Sequence, residues 1–238
     1  MKPPLIALLD WDNTLSQGFT ITRWAAFLAA RGLFRSADAQ SIARYISDYA
    51  GGTVTYSQLA SNVPEHYASG LKGQHVERIE HEARTFVNSD AHNLFAFTAT
   101  LVTELAAADI SPIVISGAPT EILAVYRERL HLSRIWGVEV EKVNGRYAGA
   151  LSTNPATRAT KQAIIDAEVD RSWQVVLALG DSESDLPLLS IASARLIVDN
   201  PTLMPAHSHT LHASSRMTPA EAKQTLRELL QIASGETK

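Results

Sequence analysis

The chain has 238 residues and is 45% hydrophobic, which is sufficient for one large domain with a smaller insertion. Its formal net charge of −4 is mild and no basic run is present, so nothing indicates nucleic-acid binding. The absence of cysteine excludes disulfides, thiolate zinc sites and thiol nucleophiles, and is compatible with the reducing cytoplasm.

The first predicted element is a strand at residues 4–10 that ends in two aspartates. The apolar run LIALL leads into DWDNT. Residue period two places Asp10 and Asp12 on one side of an extended backbone and Trp11 on the other, where we expect it in the core. Two carboxylates this close indicate a divalent cation, acid–base chemistry or both, and hard oxygen ligands suit Mg²⁺. Alternatively, Asp12 and Asn13 only form a turn.

The segment from residue 19 to residue 89 has a helical pattern. Three stripes of apolar residues recur at helical spacing, near residues 21–28, 42–49 and 76–87. No strand-like alternation occurs there. We therefore predict an all-helical cap at 19–89 inserted into a core formed by 1–18 and 90–238, with hinges near 16–20 and 89–93. No segment is long and apolar enough to span a bilayer, and the N-terminus does not have the pattern of a signal peptide.

A core helix at 94–108 and an apolar strand at 110–115 follow the predicted cap. The strand ends in Ser116 and Gly117, after which Pro119 fits the first turn of a new helix. A hydroxyl and free backbone N–H groups before a helix form an anion site. The alternative interpretation is an ordinary strand-to-helix turn.

A hairpin and a lysine-bearing helix come next. Residues 137–151 alternate and contain Asn144-Gly145, a strong signal for a type I′ turn. The helix predicted around 160–169 carries Lys161 near its start. A lysine in such a place is usually a solvated surface residue, whereas a catalytic lysine would place a fixed positive charge beside a phosphate.

The strand predicted at 174–180 ends at a second pair of carboxylates, Asp181 and Asp185. An aspartate directly after a central parallel strand lies where open α/β sheets bind ligands. Asp185 could instead be only the N-cap of the next helix. The later predicted elements are a helix at 186–192, a strand at 194–198 and a helix at 218–233. We interpret the Pro- and Ser-containing stretch around His207, His209 and His212 as a solvated loop.

Strands that alternate with helices predict an α/β fold with a doubly wound, Rossmann-like parallel sheet. The order DWDNT, Ser116, Lys161 and GDSESD resembles the motifs of the haloacid dehalogenase-like (HAD) hydrolase superfamily. This resemblance covers nearly the whole chain. The run GDSESDLPLL and the long helical segment are similar to the phosphoserine-phosphatase-like branch, subfamily IB, which has a helical C1-type cap.

The resemblance implies a Mg²⁺-dependent phosphatase that acts on a small phosphorylated metabolite through an aspartyl-phosphate intermediate. Asp10 would be the nucleophile, and Asp12 would protonate the leaving alcohol and then activate water. The residues expected to bind the phosphate are Ser116, Gly117 and Lys161. Asp10, the Asp12 carbonyl and Asp181 would hold Mg²⁺, and Asp185 would bind a coordinated water or orient Lys161.

The chain departs from phosphoserine phosphatases at two places. The stretch 16–20 lacks the glutamate that they carry shortly after the first motif, and Ser184 replaces the asparagine of their last motif. Arg23, Arg44 and Arg84 in the cap could meet an acidic substrate group, although each is more typical of a helix surface.

Two other functions are compatible with the same motifs. A phosphotransferase or phosphomutase would pass the phosphoryl group to another alcohol instead of water. A non-catalytic regulatory protein would use the phosphate cradle as a sensor, although intact motifs argue against it. We expect no nucleic-acid or membrane partner and a cytoplasmic location, and the oligomeric state stays open.

Overall fold

The structure is a computed structural model that describes residues 3–204 and 209–235. Within these ranges one sheet contains seven strands: β1 Leu5–Leu9, β2 Ile110–Pro119, β3 Arg134–Val143, β4 Arg146–Thr153, β5 Gln174–Gly180, β6 Ala194–Val198 and β7 Thr210–Ala213. Their order is β4-β3-β2-β1-β5-β6-β7. All neighbours pair in parallel except β3 and β4, which form an antiparallel hairpin. The predicted doubly wound α/β fold is confirmed.

The helices fall into two groups along the chain. Four lie between β1 and β2 in succession: α1 Thr20–Ala30, α2 Ser36–Ala50, α3 Tyr56–Leu71 and α4 Val76–Asp90. The others are α5 Thr98–Ala107, α6 Thr120–Leu130, α7 Arg158–Glu168, α8 Leu186–Ile191 and α9 Pro219–Ser234. In the described ranges, no helix combines the length and the apolar character needed to cross a membrane.

The central strand β1 is buried on both faces, as expected for the middle of a parallel sheet. Ile6 and Leu8 pack into one apolar cluster with residues of α7 and α8. Ala7 and Leu9 pack into the other with residues of α5 and α9. Because both faces are covered by helices, only the ends of the strands remain available for a site.

The two connections between the sheet and helices α1–α4 lie side by side. The backbone N–H of Gln17 donates to the Asn93 carbonyl at 2.8 Å, and that of Phe95 donates to the Leu15 carbonyl at 3.0 Å. This pairing keeps the chain extended before α5. The core helix therefore begins at Thr98, and the prediction that it begins at residue 94 is wrong.

Helix α3 was not among the three apolar stripes in the sequence. Its interior contains Pro64, and its last turn contains Gly70, both of which weaken a helical pattern. A capping box at Thr55 and Gln58 starts the helix. A side chain at position 70 would place its Cβ 2.1 Å from the Phe34 ring, so close packing explains the glycine.

The β3–β4 hairpin confirms the turn predicted from Asn144-Gly145. Both residues have positive φ, 49° and 74°, as a type I′ turn requires. The hairpin also contacts the turn between α3 and α4. The backbone N–H of Gly73 donates to the Tyr147 carbonyl at 2.8 Å, and that of Val76 donates to the Gly145 carbonyl at 3.0 Å. Helices α3 and α4 are thereby joined to the edge of the sheet.

The C-terminal part contains one strand that the sequence did not predict. Thr210–Ala213 pairs with β6 as the edge strand β7, so the interpretation of this stretch as a loop is wrong at His212. His209 and His212 are exposed, and His207 lies outside the described residues. A short, polar edge strand has little pattern of its own, because its neighbour supplies the pairing.

Candidate active site

The sheet order brings three predicted residues to one edge. Asp10 follows β1, Ser116 lies near the end of β2 and Asp181 follows β5. Since β2, β1 and β5 are adjacent parallel strands, their carboxyl ends meet. Asp10, Asp12, Ser116, Gly117 and Asp181 all line one cavity there. This position is where ligands bind to open α/β sheets.

Lys161 reaches the same edge from helix α7. It is 1% exposed, and its Nζ lies 2.7 Å from Asp10 Oδ1 and 2.5 Å from Asp185 Oδ1. Burial lowers the pKa of Lys161, but the charges of Asp10 and Asp185 outweigh this effect and raise it above its usual value. The lysine is therefore a buried cation, and the alternative of a solvated surface residue is wrong.

Asp185 holds Lys161 and the start of the loop after β5 at the same time. Its Oδ2 accepts hydrogen bonds from the backbone N–H groups of Asp181 and Ser182 at 3.1 and 3.0 Å. It makes no capping hydrogen bond to α8, so the simple N-cap interpretation is wrong. Gly180 permits this packing, because a Cβ there would lie 2.5 Å from the Asp185 Cβ.

Three carboxylates form a compact group with atoms suited to a metal ion. One oxygen each from Asp10, Asp181 and Asp185 lie within 4.8 Å of one another. Burial raises the pKa of Asp10 to about 7; the charge of Lys161 acts to lower this pKa, and the charge of Asp185 acts to raise it further. Burial and the charges of Asp10 and Asp185 raise the pKa of Asp181 to about 8. A divalent cation would relieve this crowding, and hard oxygen ligands fit Mg²⁺.

Asp12 stands apart from that group. Its Oδ1 accepts hydrogen bonds from the Thr20 N–H at 3.0 Å and the Thr20 hydroxyl at 2.6 Å. Burial raises the pKa of Asp12 to about 6, against the lowering effect of these two bonds. The carboxyl is thus held in place near the cavity with a proton affinity suited to acid–base chemistry. Its backbone carbonyl as a metal ligand stays a prediction.

The segment around Ser116 and Gly117 is an irregular end of β2. The strand continues to Pro119 and the helix begins at Thr120. The predictions that the strand ends at residue 115 and that Pro119 lies in the first helical turn are therefore wrong. The register of β2 against β3 shifts between Ile115 and Pro119. The Ser116 hydroxyl accepts from the Ala118 N–H at 3.3 Å. A Cβ at Gly117 would lie 2.9 Å from that of Ala156, so the glycine permits close approach.

The cavity above these residues encloses about 160 Å³. Helices α1–α3 and the residue before α1 supply its opposite wall, which includes Phe19, Ile46, Tyr56, Leu59 and Val63. Sequence analysis did not identify these residues. The capping box before Tyr56 was the available signal for the missed helix α3, but no pattern indicated which of its residues face the site.

The remaining predicted residues lie away from the cavity lining. Arg23 pairs with Asp90 at 2.8 Å, and Arg44 and Arg84 are exposed.

Trp11 is fully buried, with its ring 4.6 Å from that of Tyr126, which confirms its predicted place in the core. Ser184 is buried, and its hydroxyl lies 2.8 Å from that of Ser182.

Together, the fold and the buried group of carboxylates with Lys161 define a doubly wound α/β enzyme. The family model described as haloacid dehalogenase-like hydrolase matches residues 7–190, and the chain belongs to that family. The family resemblance found in the sequence is thereby confirmed. No curated protein matches the chain in sequence.

Three solved structures with the same fold illustrate the similarity, each with less than 20% sequence identity to this chain. A protein from Bordetella pertussis Tohama I has a TM-score of 0.71 and 19% identity, over 86% of this chain and 94% of its own. A probable phosphoserine phosphatase from Vibrio cholerae has a TM-score of 0.67 and 18% identity, over 99% of this chain and 67% of its own. A phospho-aspartyl intermediate analogue of phosphoserine phosphatase has a TM-score of 0.63 and 17% identity, over 97% of this chain and 99% of its own.

Proposed function

We propose that the protein is a Mg²⁺-dependent phosphatase that hydrolyses a small phosphomonoester through an aspartyl-phosphate at Asp10. The observation that carries this proposal is the 2.7 Å contact between Lys161 Nζ and Asp10 Oδ1 at the floor of the cavity. A carboxylate is a weak nucleophile toward a phosphate dianion unless positive charge lies beside both. The buried Lys161 supplies part of that positive charge, and a Mg²⁺ ion held by the acidic group would supply the rest.

The proposed reaction has two steps that balance. In the first, an Asp10 oxygen bonds to phosphorus, the bond from phosphorus to the alcohol oxygen breaks, and protonated Asp12 gives its proton to that oxygen. In the second, Asp12 takes a proton from water, the water oxygen bonds to phosphorus, and the Asp10 carboxylate is released. The hydrogen bonds from Thr20 hold Asp12 in one orientation for both transfers.

The other residues would bind the phosphate and the metal. Ser116 and Gly117 would donate hydrogen bonds to the phosphoryl oxygens, and Lys161 would stay between Asp10 and Asp185 as a fixed charge. Asp10, Asp12 through its carbonyl, and Asp181 would hold Mg²⁺, which when bound neutralises charge that develops on the transferring phosphoryl group. Asp185 would act by positioning Lys161.

We further propose that residues 19–89 act as a cap over a core of 1–18 and 90–238. The contribution of α1–α3 to the cavity wall supports this division. A cap would exclude water and contact the part of the substrate beyond the phosphate. The similar structures include a substrate-bound phosphoserine phosphatase, which supports a small phosphorylated substrate for this protein.

Phosphate release from p-nitrophenyl phosphate tests the metal requirement. We expect activity to disappear with a chelator and to return when Mg²⁺ is added. The Asp181→Asn variant should need at least about tenfold more Mg²⁺ for half-maximal activity, because a ligand is lost. Asp166→Asn is the control, since it removes an exposed carboxylate of α7. Full activity in a chelator, or an unchanged Mg²⁺ requirement in Asp181→Asn, would contradict the proposal.

A further inference from the structure

We infer that the substrate is the phosphate ester of a short, uncharged and largely apolar alcohol. This inference rests on the proposed function and specifies its substrate class. The cavity has two chemically different halves. Its floor carries Asp10, Asp12 and Asp181, whereas its opposite wall is formed by side chains such as Ile21, Ile46, Leu59, Val63 and Pro64. With the phosphate on the floor, the alcohol would face this wall.

The wall offers no charge to a charged alcohol. Among the described residues that line the cavity, the ionised types are confined to the aspartates of the floor. The three arginines of helices α1–α4 considered above do not line it. A substrate ammonium or carboxylate would therefore lose its hydration against apolar groups without gaining a partner, which is unfavourable. An alkyl group would gain from the same contact.

Aromatic residues complete the apolar side. The Tyr49 ring lies 6.1 Å from that of Phe19 and 6.0 Å from that of Tyr56, with both pairs near edge-to-face. The Tyr56 hydroxyl is engaged, because it donates to the Ala156 carbonyl at 3.2 Å and lies 3.4 Å from the Ser184 hydroxyl. The Tyr56 hydroxyl therefore already has protein partners, and the rings of Phe19, Tyr49 and Tyr56 add to the lining beside the aliphatic side chains.

A neighbouring hollow on the far side of Asp181 does contain opposite charges. Asp199 and Arg216 line it. Burial tends to raise the pKa of Asp199, but hydrogen bonds from Ser215 and Ser214, with a smaller contribution from the charge of Arg216, lower it overall. Because this hollow has one added charge of each sign, it favours neither an ammonium nor a carboxylate on the substrate. The cavity of about 160 Å³ between floor and wall is itself small, which favours a short alcohol.

Isosteric esters test the substrate class directly. Propyl phosphate and phosphoethanolamine differ by a methyl group in place of an ammonium. We expect kcat/KM for propyl phosphate to be at least about tenfold higher, because the ammonium has no partner in the wall. In the series from ethyl to butyl phosphate, each methylene should raise kcat/KM by about fourfold until the cavity is filled. Phosphoserine should behave like phosphoethanolamine.

A charge placed in the wall should reverse the preference. Ile46 is half-buried in α2, so Ile46→Lys can keep its ammonium hydrated while reaching the cavity. We expect this variant to lose activity on propyl phosphate and to gain activity on phosphoglycolate, whose carboxylate would meet the ammonium. Ser47→Lys is the control, because it adds the same charge at the next residue, which is exposed and does not line the cavity. Its activity on both propyl phosphate and phosphoglycolate should equal that of the wild type.

The outcomes separate this inference from the proposed function. Phosphate release that is as fast from phosphoethanolamine or phosphoserine as from propyl phosphate would overturn the apolar substrate class and leave a phosphatase standing. If Ile46→Lys and Ser47→Lys changed the activities on propyl phosphate and phosphoglycolate to the same extent, the apolar substrate class would likewise be overturned and the phosphatase function would stand. No release from any ester, including p-nitrophenyl phosphate, would overturn the proposed function and the inference with it.

Discussion

The Asp10→Asn variant is expected to hydrolyse phosphomonoesters at least about 10⁴-fold more slowly than the wild type. An amide cannot form the acyl phosphate, and no other carboxylate of the floor replaces Asp10 beside Lys161. Asp12 accepts hydrogen bonds from Thr20, and Asp185 accepts them from Lys161 and from the backbone of the loop after β5. The measurement is kcat by phosphate release with Mg²⁺ present.

Asp38→Asn is the matched control for this variant. Asp38 is also a buried aspartate, but it lies in α2 and pairs with Arg35 and His66. Its replacement tests whether loss of any buried carboxylate inactivates the protein through the fold. We expect its activity to stay near that of the wild type. Asp10→Asn turnover within about tenfold of wild type would remove Asp10 from the role of nucleophile.

The second large effect concerns Asp12, and it depends on the leaving group. Asp12→Asn should lower the rate on alkyl phosphates by about 10²–10⁴-fold, because an alkoxide needs a proton as it leaves. Phosphoryl transfer from p-nitrophenyl phosphate should suffer less, since its leaving group is stable as an anion. The asparagine oxygen can still accept from Thr20, so the position of the side chain should be retained. Burst kinetics on both esters provide the measurement.

Glu183→Gln controls for charge near the site, because Glu183 is an exposed carboxylate in the same loop as Asp181 and Asp185. It should have little effect on either ester. If Asp12→Asn slows the phosphoryl-transfer step of both esters equally, Asp12 does not act as the proton donor.

Local patterns predicted most of the sheet. Strand β5 was assigned from its own apolar run, and the β3–β4 hairpin from Asn144-Gly145. The position of Asp181 at the ligand-binding edge follows from the rule that open α/β sheets bind ligands at the carboxyl ends of their strands, and the family resemblance joins it to Asp10 in one site. Each of these inferences uses residues near one another in sequence or a rule of sheet topology.

Features that depend on distant residues do not follow from local patterns, and the role expected of Lys161 came from the family resemblance. Lys161 has the local pattern of a surface residue, and its burial follows from partners 151 and 24 residues away, Asp10 and Asp185. The hold of Thr20 on Asp12 depends on where the chain enters α1. Helix α3 was obscured by Pro64 and Gly70, whose tertiary packing overrides their low helical propensity. The apolar wall of the cavity was missed with it.

Trapping the covalent intermediate tests the central claim most directly. Asp12→Asn, which should form the acyl phosphate from p-nitrophenyl phosphate but hydrolyse it slowly, is mixed with that ester and Mg²⁺, quenched in acid and digested for peptide mass spectrometry. We predict one phosphoryl group on the N-terminal peptide at Asp10, removable by hydroxylamine and absent when Asp10 is also replaced by Asn. Rapid release of p-nitrophenol with that peptide unmodified, or with the phosphoryl group on another residue, would contradict the account.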